Sequence, residues 1–272
     1  MAVITYLICA LVAAAFVVSR RFAWWRRTVP YRYPRILMYH MISEHRAGAK
    51  FNKLRVPPRC FEEQLRWLQR SGWHFALMSE LLGDDALPEK SVILTFDDGY
   101  ADNLIEADPI MQRYGARATL YLVEDRFDRD WSTSKKAHHD SGELMREPKL
   151  SDEQVEAMLA SGRWELGGHT RTHANLARLD DAARREEIAG ARRSLGERFA
   201  QAMSSFAYPF GIYAPVDVAA AREAGFASAV TTVEGISRDP RADAFELPRV
   251  KVGGKDSLRA FRLRMRTGRR SA

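Results

Sequence analysis

Short apolar runs alternate along this chain with segments patterned for helices, and that alternation restricts the fold more than any other feature. The runs are Arg35–Tyr39, Trp73–Leu77, Val92–Phe96, Ala118–Val123, Trp164–Leu166, Ser205–Tyr208, Ser228–Thr231 and Leu247–Val252, and each reads as a strand. Between them, Phe61, Leu65 and Leu68 mark one face of a helix after Pro57-Pro58. Ser151 opens another helix with Gln154 at the capping-box position, and Asp180–Phe199 reads as one long charged helix. Strand after helix after strand predicts a mostly parallel sheet with helices outside it, either open or closed into a barrel. Residues 124–149 break the rhythm. They are polar and aperiodic, with Asp128, Asp130, His138, His139 and Asp140, and they read as an insertion loop.

The N-terminus is of another kind. Ala2–Val18 is almost unbroken apolar sequence, and Arg20, Arg21, Trp24, Trp25, Arg26 and Arg27 follow at once. About 17 apolar residues lie at the short end of what spans a bilayer, so a single-pass anchor in a bacterial plasma membrane is expected. No basic region precedes the run and no small-x-small cleavage site follows it, which disfavours a cleaved signal peptide. Because every nearby Arg follows the span, the positive-inside rule favours a cytoplasmic domain. The stretch Leu258–Arg270 resembles a basic helix suited to an anionic membrane surface, or else a solvated terminal helix. The net charge of +7 comes largely from these two flanks, which points to a lipid surface rather than to nucleic acid. Two cysteines, Cys9 and Cys60, cannot build a disulfide framework or a thiolate metal site, so any metal must use His and carboxylate ligands.

Two motifs carry chemistry. Thr95-Phe96-Asp97-Asp98-Gly99 directly follows an apolar strand. Adjacent carboxylates repel one another unless a divalent cation removes the penalty; one aspartate then binds metal while its neighbour is free to act as base on a water. His169-Thr170-Arg171-Thr172-His173 follows another strand and Gly167-Gly168. If that segment turns helically, the two imidazoles at i and i+4 face the same side and can reach one ion. Two histidines and an aspartate make a three-ligand site with an open position, as hydrolytic centres require.

From about Pro34 to Arg262 the chain resembles the polysaccharide deacetylases that share the NodB homology domain, carbohydrate esterase family 4. The resemblance implies a distorted (β/α) barrel and a hydrolase acting on amide bonds of N-acetylated amino sugars. By the match of motifs, Asp97 is the general base, while Asp98, His169 and His173 hold a divalent metal, zinc above all, with nickel, cobalt or iron also suited to the donor set. Phe206-Ala207-Tyr208-Pro209-Phe210-Gly211 looks like the motif whose backbone N–H, at Phe210, helps hold the oxyanion. Two positions depart from the family: Ala207 stands where an arginine pairs with the base, and Arg249 stands where a histidine protonates the leaving amine.

The ending Leu37-Met38-Tyr39-His40 resembles the branch of poly-N-acetylglucosamine deacetylases, in which an N-terminal histidine is the general acid. His40 would replace the missing acid, and Arg249 would replace the missing arginine. Tyr208 and Tyr213 are candidates for substrate binding, and Trp131 for stacking on a sugar ring. The implied organisation is an anchor at 1–19, a basic linker at 20–34, a catalytic domain at 35–262 and a basic tail at 263–272. The partners expected are an N-acetylated glycan and, through the N-terminal helix, membrane lipid. The resemblance favours a periplasmic or extracellular domain, against the arginine flank. That flank motivates a second reading, deacylation of a lipid-linked N-acyl amino sugar at the cytoplasmic face. The departures motivate a third, a catalytically silent glycan-binding protein.

Overall fold

The computed structural model of the chain describes residues 2–22, 25–129, 131 and 142–269. All eight expected strands form: β1 (Arg35–Tyr39), β2 (His74–Ala76), β3 (Ser91–Asp97), β4 (Ala118–Leu122), β5 (Trp164–Gly168), β6 (Ser205–Ala207), β7 (Ser228–Glu234) and β8 (Leu247–Lys251). Every pairing between them is parallel. The order runs β1-β8-β7-β6-β5-β4-β3, and β1 pairs again with β3 from Arg35↔Val92 to Tyr39↔Phe96, so seven strands close into a barrel. β2 stays outside the ring. It pairs with β3 at Ser91 to Ile93, and β4 takes up the same edge from Leu94 onward.

Alternate residues of each strand face opposite sides. One set, including Ile36, Ile93, Tyr121, Val230 and Leu247, clusters inside the ring. The other, including Leu37, Leu94, Phe96, Leu120 and Phe206, packs outward beneath the helices in the larger core. Gly167 is required by this packing, since a Cβ there would lie 2.5 Å from the Tyr121 ring. Helix Pro58–Arg70 buries Phe61, Leu65 and Leu68 as its spacing predicts. Helix Asp152–Ala160 starts on the Ser151 capping box, with Gln154 N–H donating to Ser151 Oγ at 3.2 Å and Ser151 N–H to Gln154 Oε1 at 2.9 Å. The long charged helix is interrupted: helix Asp181–Arg185 passes through a π turn at Glu186–Gly190 into helix Ala191–Phe199. Glu187 in that turn accepts the Thr172 N–H and hydroxyl at 2.9 and 2.8 Å, and its carbonyl accepts the Arg171 N–H at 3.1 Å. The turn therefore fixes the loop after β5, in keeping with the placement of π turns near functional sites.

Two expectations are corrected. The N-terminal helix Ala2–Phe22 exposes Ile4, Leu7, Leu11 and Phe16, but among the described residues no helix is long and apolar enough to cross a membrane. The physical reason is length: the apolar run rises only about 26 Å at 1.5 Å per residue, against a hydrocarbon core of about 30 Å. The C-terminal stretch is neither a tail nor a lipid-facing helix. Helix Leu258–Thr267, capped by Ser257, crosses the expected boundary at 262 and buries Phe261 and Met265, with Phe261 edge-to-face on Trp67 at 5.9 Å. Arg35 Nε ties it down by donating to Met265 O at 3.0 Å. The insertion after β4 is anchored at both described ends. Arg126 Nε donates to Leu150 O at 2.6 Å, and the fully buried Arg55 holds Glu147 at 2.8 Å and Glu143 at 3.2 Å. Asp130, His138, His139 and Asp140 lie outside the described residues.

Candidate active site

The C-terminal ends of the ring strands open on one cavity of about 420 Å³, bordered by His40, Asp97, Asp98, His169, His173 and Phe210 among others. That volume suits a sugar-sized ligand, and the C-terminal face is where parallel barrels build their sites.

Asp97 ends β3 on the inward face set by Ile93 and Thr95, which brings its carboxylate into the barrel mouth. From β8, Arg249 meets it with a bidentate pair, Nη1 to Oδ1 at 2.7 Å and Nη2 to Oδ2 at 2.8 Å. The guanidinium is fully buried and fixed twice more, by Thr95 Oγ1 at 3.0 Å and Thr231 O at 2.9 Å. Burial alone would raise the Asp97 pKa, but the charge and hydrogen bonds of Arg249 outweigh it and hold the carboxyl below its ordinary value. The geometry thus keeps one carboxylate ionised in a dry setting, which is what a general base needs.

Asp98 turns the other way because its φ is 80°, a left-handed value that aspartate tolerates. Its Oδ1 lies 3.2 Å from His169 Nε2 and 3.3 Å from His173 Nε2, and the three donors sit within 4.8 Å of one another. His169 Nδ1 is 2.8 Å from Ala207 O, so it carries the proton and leaves the Nε2 lone pair for a ligand. The donor set fits a divalent ion bound by two imidazoles and a carboxylate. Convergence of the histidines does not come from a helical turn. Thr170 and His173 have φ of 64° and 57°, so a left-handed loop brings the rings together. Phe210 adds a fourth left-handed residue to the site, with φ 60°, and its ring meets His173 edge-on at 4.3 Å. Such conformations cost roughly 1–3 kcal/mol each and gather at functional sites.

His40, just beyond β1, places Nε2 4.0 Å from Asp97 Oδ2. Burial lowers its pKa, partly offset by Asp98 and Asp97, so its imidazolium is a stronger acid than a free one. Tyr208 borders the cavity, buried, with its hydroxyl donating to Phe245 O at 3.1 Å. Tyr213 is not brought into the cavity: it stacks behind Tyr208 at 4.5 Å and hydrogen-bonds Glu246. Trp131 borders the cavity too, buried rather than exposed, with its ring 4.7 Å from His173. Sequence reading missed the supports of these groups. Asn103 Nδ2 holds His40 O at 2.8 Å, and Lys149 Nζ lies 4.6 Å from the Trp131 and Tyr100 rings, its pKa lowered by burial to about 8. It also missed Lys251, which the alternation on β8 places on the face of Arg249, two residues on.

A sequence model described as polysaccharide deacetylase matches residues 84–229. That stretch holds Asp97, Asp98, His169, His173 and Phe210, while His40 and Arg249 lie outside it. The Bacillus subtilis protein YxkH, whose name assigns it provisionally to the polysaccharide deacetylases, is 32% identical over 236 residues, covering 85% of this chain and 76% of that one. The poly-beta-1,6-N-acetyl-D-glucosamine N-deacetylase of Escherichia coli K12 is 24% identical over 83% of this chain, which spans 37% of that relative's length. Among solved structures, the Streptococcus pyogenes deacetylase PplD in complex with acetate superposes with a TM-score of 0.70 at 25% identity, covering 84% of this chain and 96% of that one.

Proposed function

This chain belongs to the polysaccharide deacetylase family, and on that premise we propose that it hydrolyses the N-acetyl groups of an amino-sugar glycan. The observation that carries this reading is the meeting, in one cavity, of a three-donor set for a metal with a buried carboxylate neutralised by Arg249. The E. coli relative's name supports an N-acetylglucosamine unit at the reacting position.

In the proposed reaction, Asp97 orients a water and takes its proton, and Arg249 keeps that carboxylate ionised and fixed in plane. A divalent cation held by Asp98, His169 and His173, zinc in our reading, with nickel, cobalt or iron as alternatives, would supply polarisation of the acetamide carbonyl and a lowered pKa for the attacking water. The Phe210 N–H donates to the oxygen that becomes negative in the tetrahedral state. His40 gives a proton to the sugar nitrogen as the carbon–nitrogen bond breaks, and acetate and a free amine result. Tyr208 and Trp131 offer aromatic walls to the sugar.

The catalytic domain then runs from residue 35 through the C-terminal helix. The exposed apolar side chains of Ile4, Leu7, Leu11 and Phe16, in a segment whose sequence continues into arginines, support attachment to a bacterial plasma-membrane surface. Flotation of the full chain with anionic vesicles, lost when residues 1–22 are removed, tests that attachment. For the chemistry, the metal-loaded chain should release acetate from N-acetylated oligosaccharides, and Asp97→Asn should slow release by at least about 10²-fold. A fully active variant would reject the assignment of the base.

A further inference from the structure

The reacting centre occupies only part of the cavity, and the rest of its wall has a different character. Lys53, Lys251, Glu234 and Arg264 border it beyond Arg249. On β8 the two-residue repeat puts Lys251 about 6.6 Å beyond Arg249 on the inward face, roughly one sugar ring further along. Glu234 and the buried Asp256 both bind Arg264, at 2.6 and 3.0 Å, so these carboxylates share one guanidinium. The two lysines are left over: among the described residues neither ammonium makes a hydrogen bond or an ion pair. Lys251 is half-buried, so its ammonium has given up part of its hydration without a protein partner in return. Arg264 is 4% exposed, and its Nε is a buried donor with no acceptor. Three cations face two carboxylates, and unfilled donors of positive groups border a cavity that has room for a second sugar.

We propose that this end of the cavity binds an anionic oxygen group, a carboxylate or a phosphate, carried by the glycan next to the N-acetylated sugar, with Lys251 and Lys53 as its donors. The inference rests on the deacetylase reading for the identity of that glycan. The charges agree with the arrangement. Burial lowers the Lys251 pKa, Glu234 raises it, and Arg249, Arg264 and Lys53 lower it again, so an incoming anion relieves repulsion among cations that already act on one another. A neighbouring sugar that already bears a free amine would meet the same field with the wrong sign, so a glycan deacetylated at adjacent positions is disfavoured here.

The test compares N-acetylglucosamine oligosaccharides of equal length that are neutral, carry a uronic acid beside the target sugar, or carry a phosphodiester there. Affinities are measured by calorimetry with the full chain, its metal removed so that nothing is consumed. At least one anionic oligosaccharide should bind about tenfold tighter than the neutral one at low salt, a gap that narrows as salt is added. The tighter of the two identifies the group. In K53Q/K251Q the ratio should fall to within about twofold, and K53Q alone, at an exposed site, should lower it in part without risk to the fold. Equal affinity for all three in the wild type, or a preference that K53Q and K53Q/K251Q leave intact, overturns the proposal. Acetate release by the metal-loaded chain is followed in parallel. Release from all three at equal affinity removes the anionic site and keeps the deacetylase reading, whereas anion-selective binding without release does the reverse.

Discussion

Replacing Arg249 with methionine is the sharpest perturbation of this site. The guanidinium is fully buried, makes two bonds to Asp97 and two more to Thr95 and Thr231, and Asp97 is itself only 3% exposed. Breaking one partner of such a pair leaves a buried charge uncompensated, which costs about 3–5 kcal/mol. The dependence on pH follows from the direction of the Asp97 shift. Its folded pKa lies below the ordinary carboxylate value, so the pair contributes stability above the unfolded pKa, and that contribution fades as pH falls through the folded one. In R249M burial loses its main opponent, keeping only the smaller pull of His40 and His169, and Asp97 is raised instead. The variant should therefore be about 3–5 kcal/mol less stable than wild type at pH 7 and should recover much of the difference by pH 4.5. Urea unfolding of metal-free protein at the two pH values measures this. A loss below about 1 kcal/mol at pH 7, or a loss of equal size at both, would refute the claim that Arg249 serves chiefly to hold an ionised Asp97.

Other expectations concern neighbouring groups. His40→Ala should lower acetate release by at least about 10²-fold while zinc affinity, read by calorimetry, changes little, because His40 is outside the donor set. His173→Ala should reverse that pattern by weakening zinc binding at least about tenfold, which metal analysis after dialysis would report. Asp102 is raised by burial to about 7, so the folded state binds its proton more tightly than the unfolded one and stability falls as pH rises from about 4 to about 7. Asp102→Asn should accordingly raise the melting temperature more at pH 8 than at pH 5, and an equal gain at both would show that the carboxyl is not the cause.

What the sequence disclosed depends on whether the signal was local. The strands were legible because each is a bounded apolar run, and the Ser151 box because a cap and its partner are three residues apart. Closure of the ring was not, since Ile36 and Leu37 reveal which faces a strand presents but not that β3 is the neighbour of β1. The same limit explains the C-terminal helix: Phe261 and Met265 look like a lipid-facing stripe until Trp67, far away in sequence, is seen against them. Asp97, Asp98, His169 and His173 were legible as residue types in motifs. The left-handed backbone at Thr170 and His173 was not, because nothing in Thr-Arg-Thr announces it. Tyr213 was misplaced for want of a partner, as Tyr208 stands between it and the cavity.

The seam of the barrel has a consequence in time. His40 comes from the first ring strand and Arg249 from the last, 152 residues after Asp97, and those two strands lie side by side at Leu37↔Val250 and Met38↔Lys251. During synthesis the motifs in the middle of the chain emerge early, and the pairing of β1 with β3 brings His40 beside Asp97, yet Asp97 lacks its cation until β8 docks beside β1. A nascent chain stalled before residue 249 would have the donor set for a metal beside an Asp97 with no guanidinium to pair with. The buried ion pair of the site thus arrives in one late step, with the closing of the ring itself.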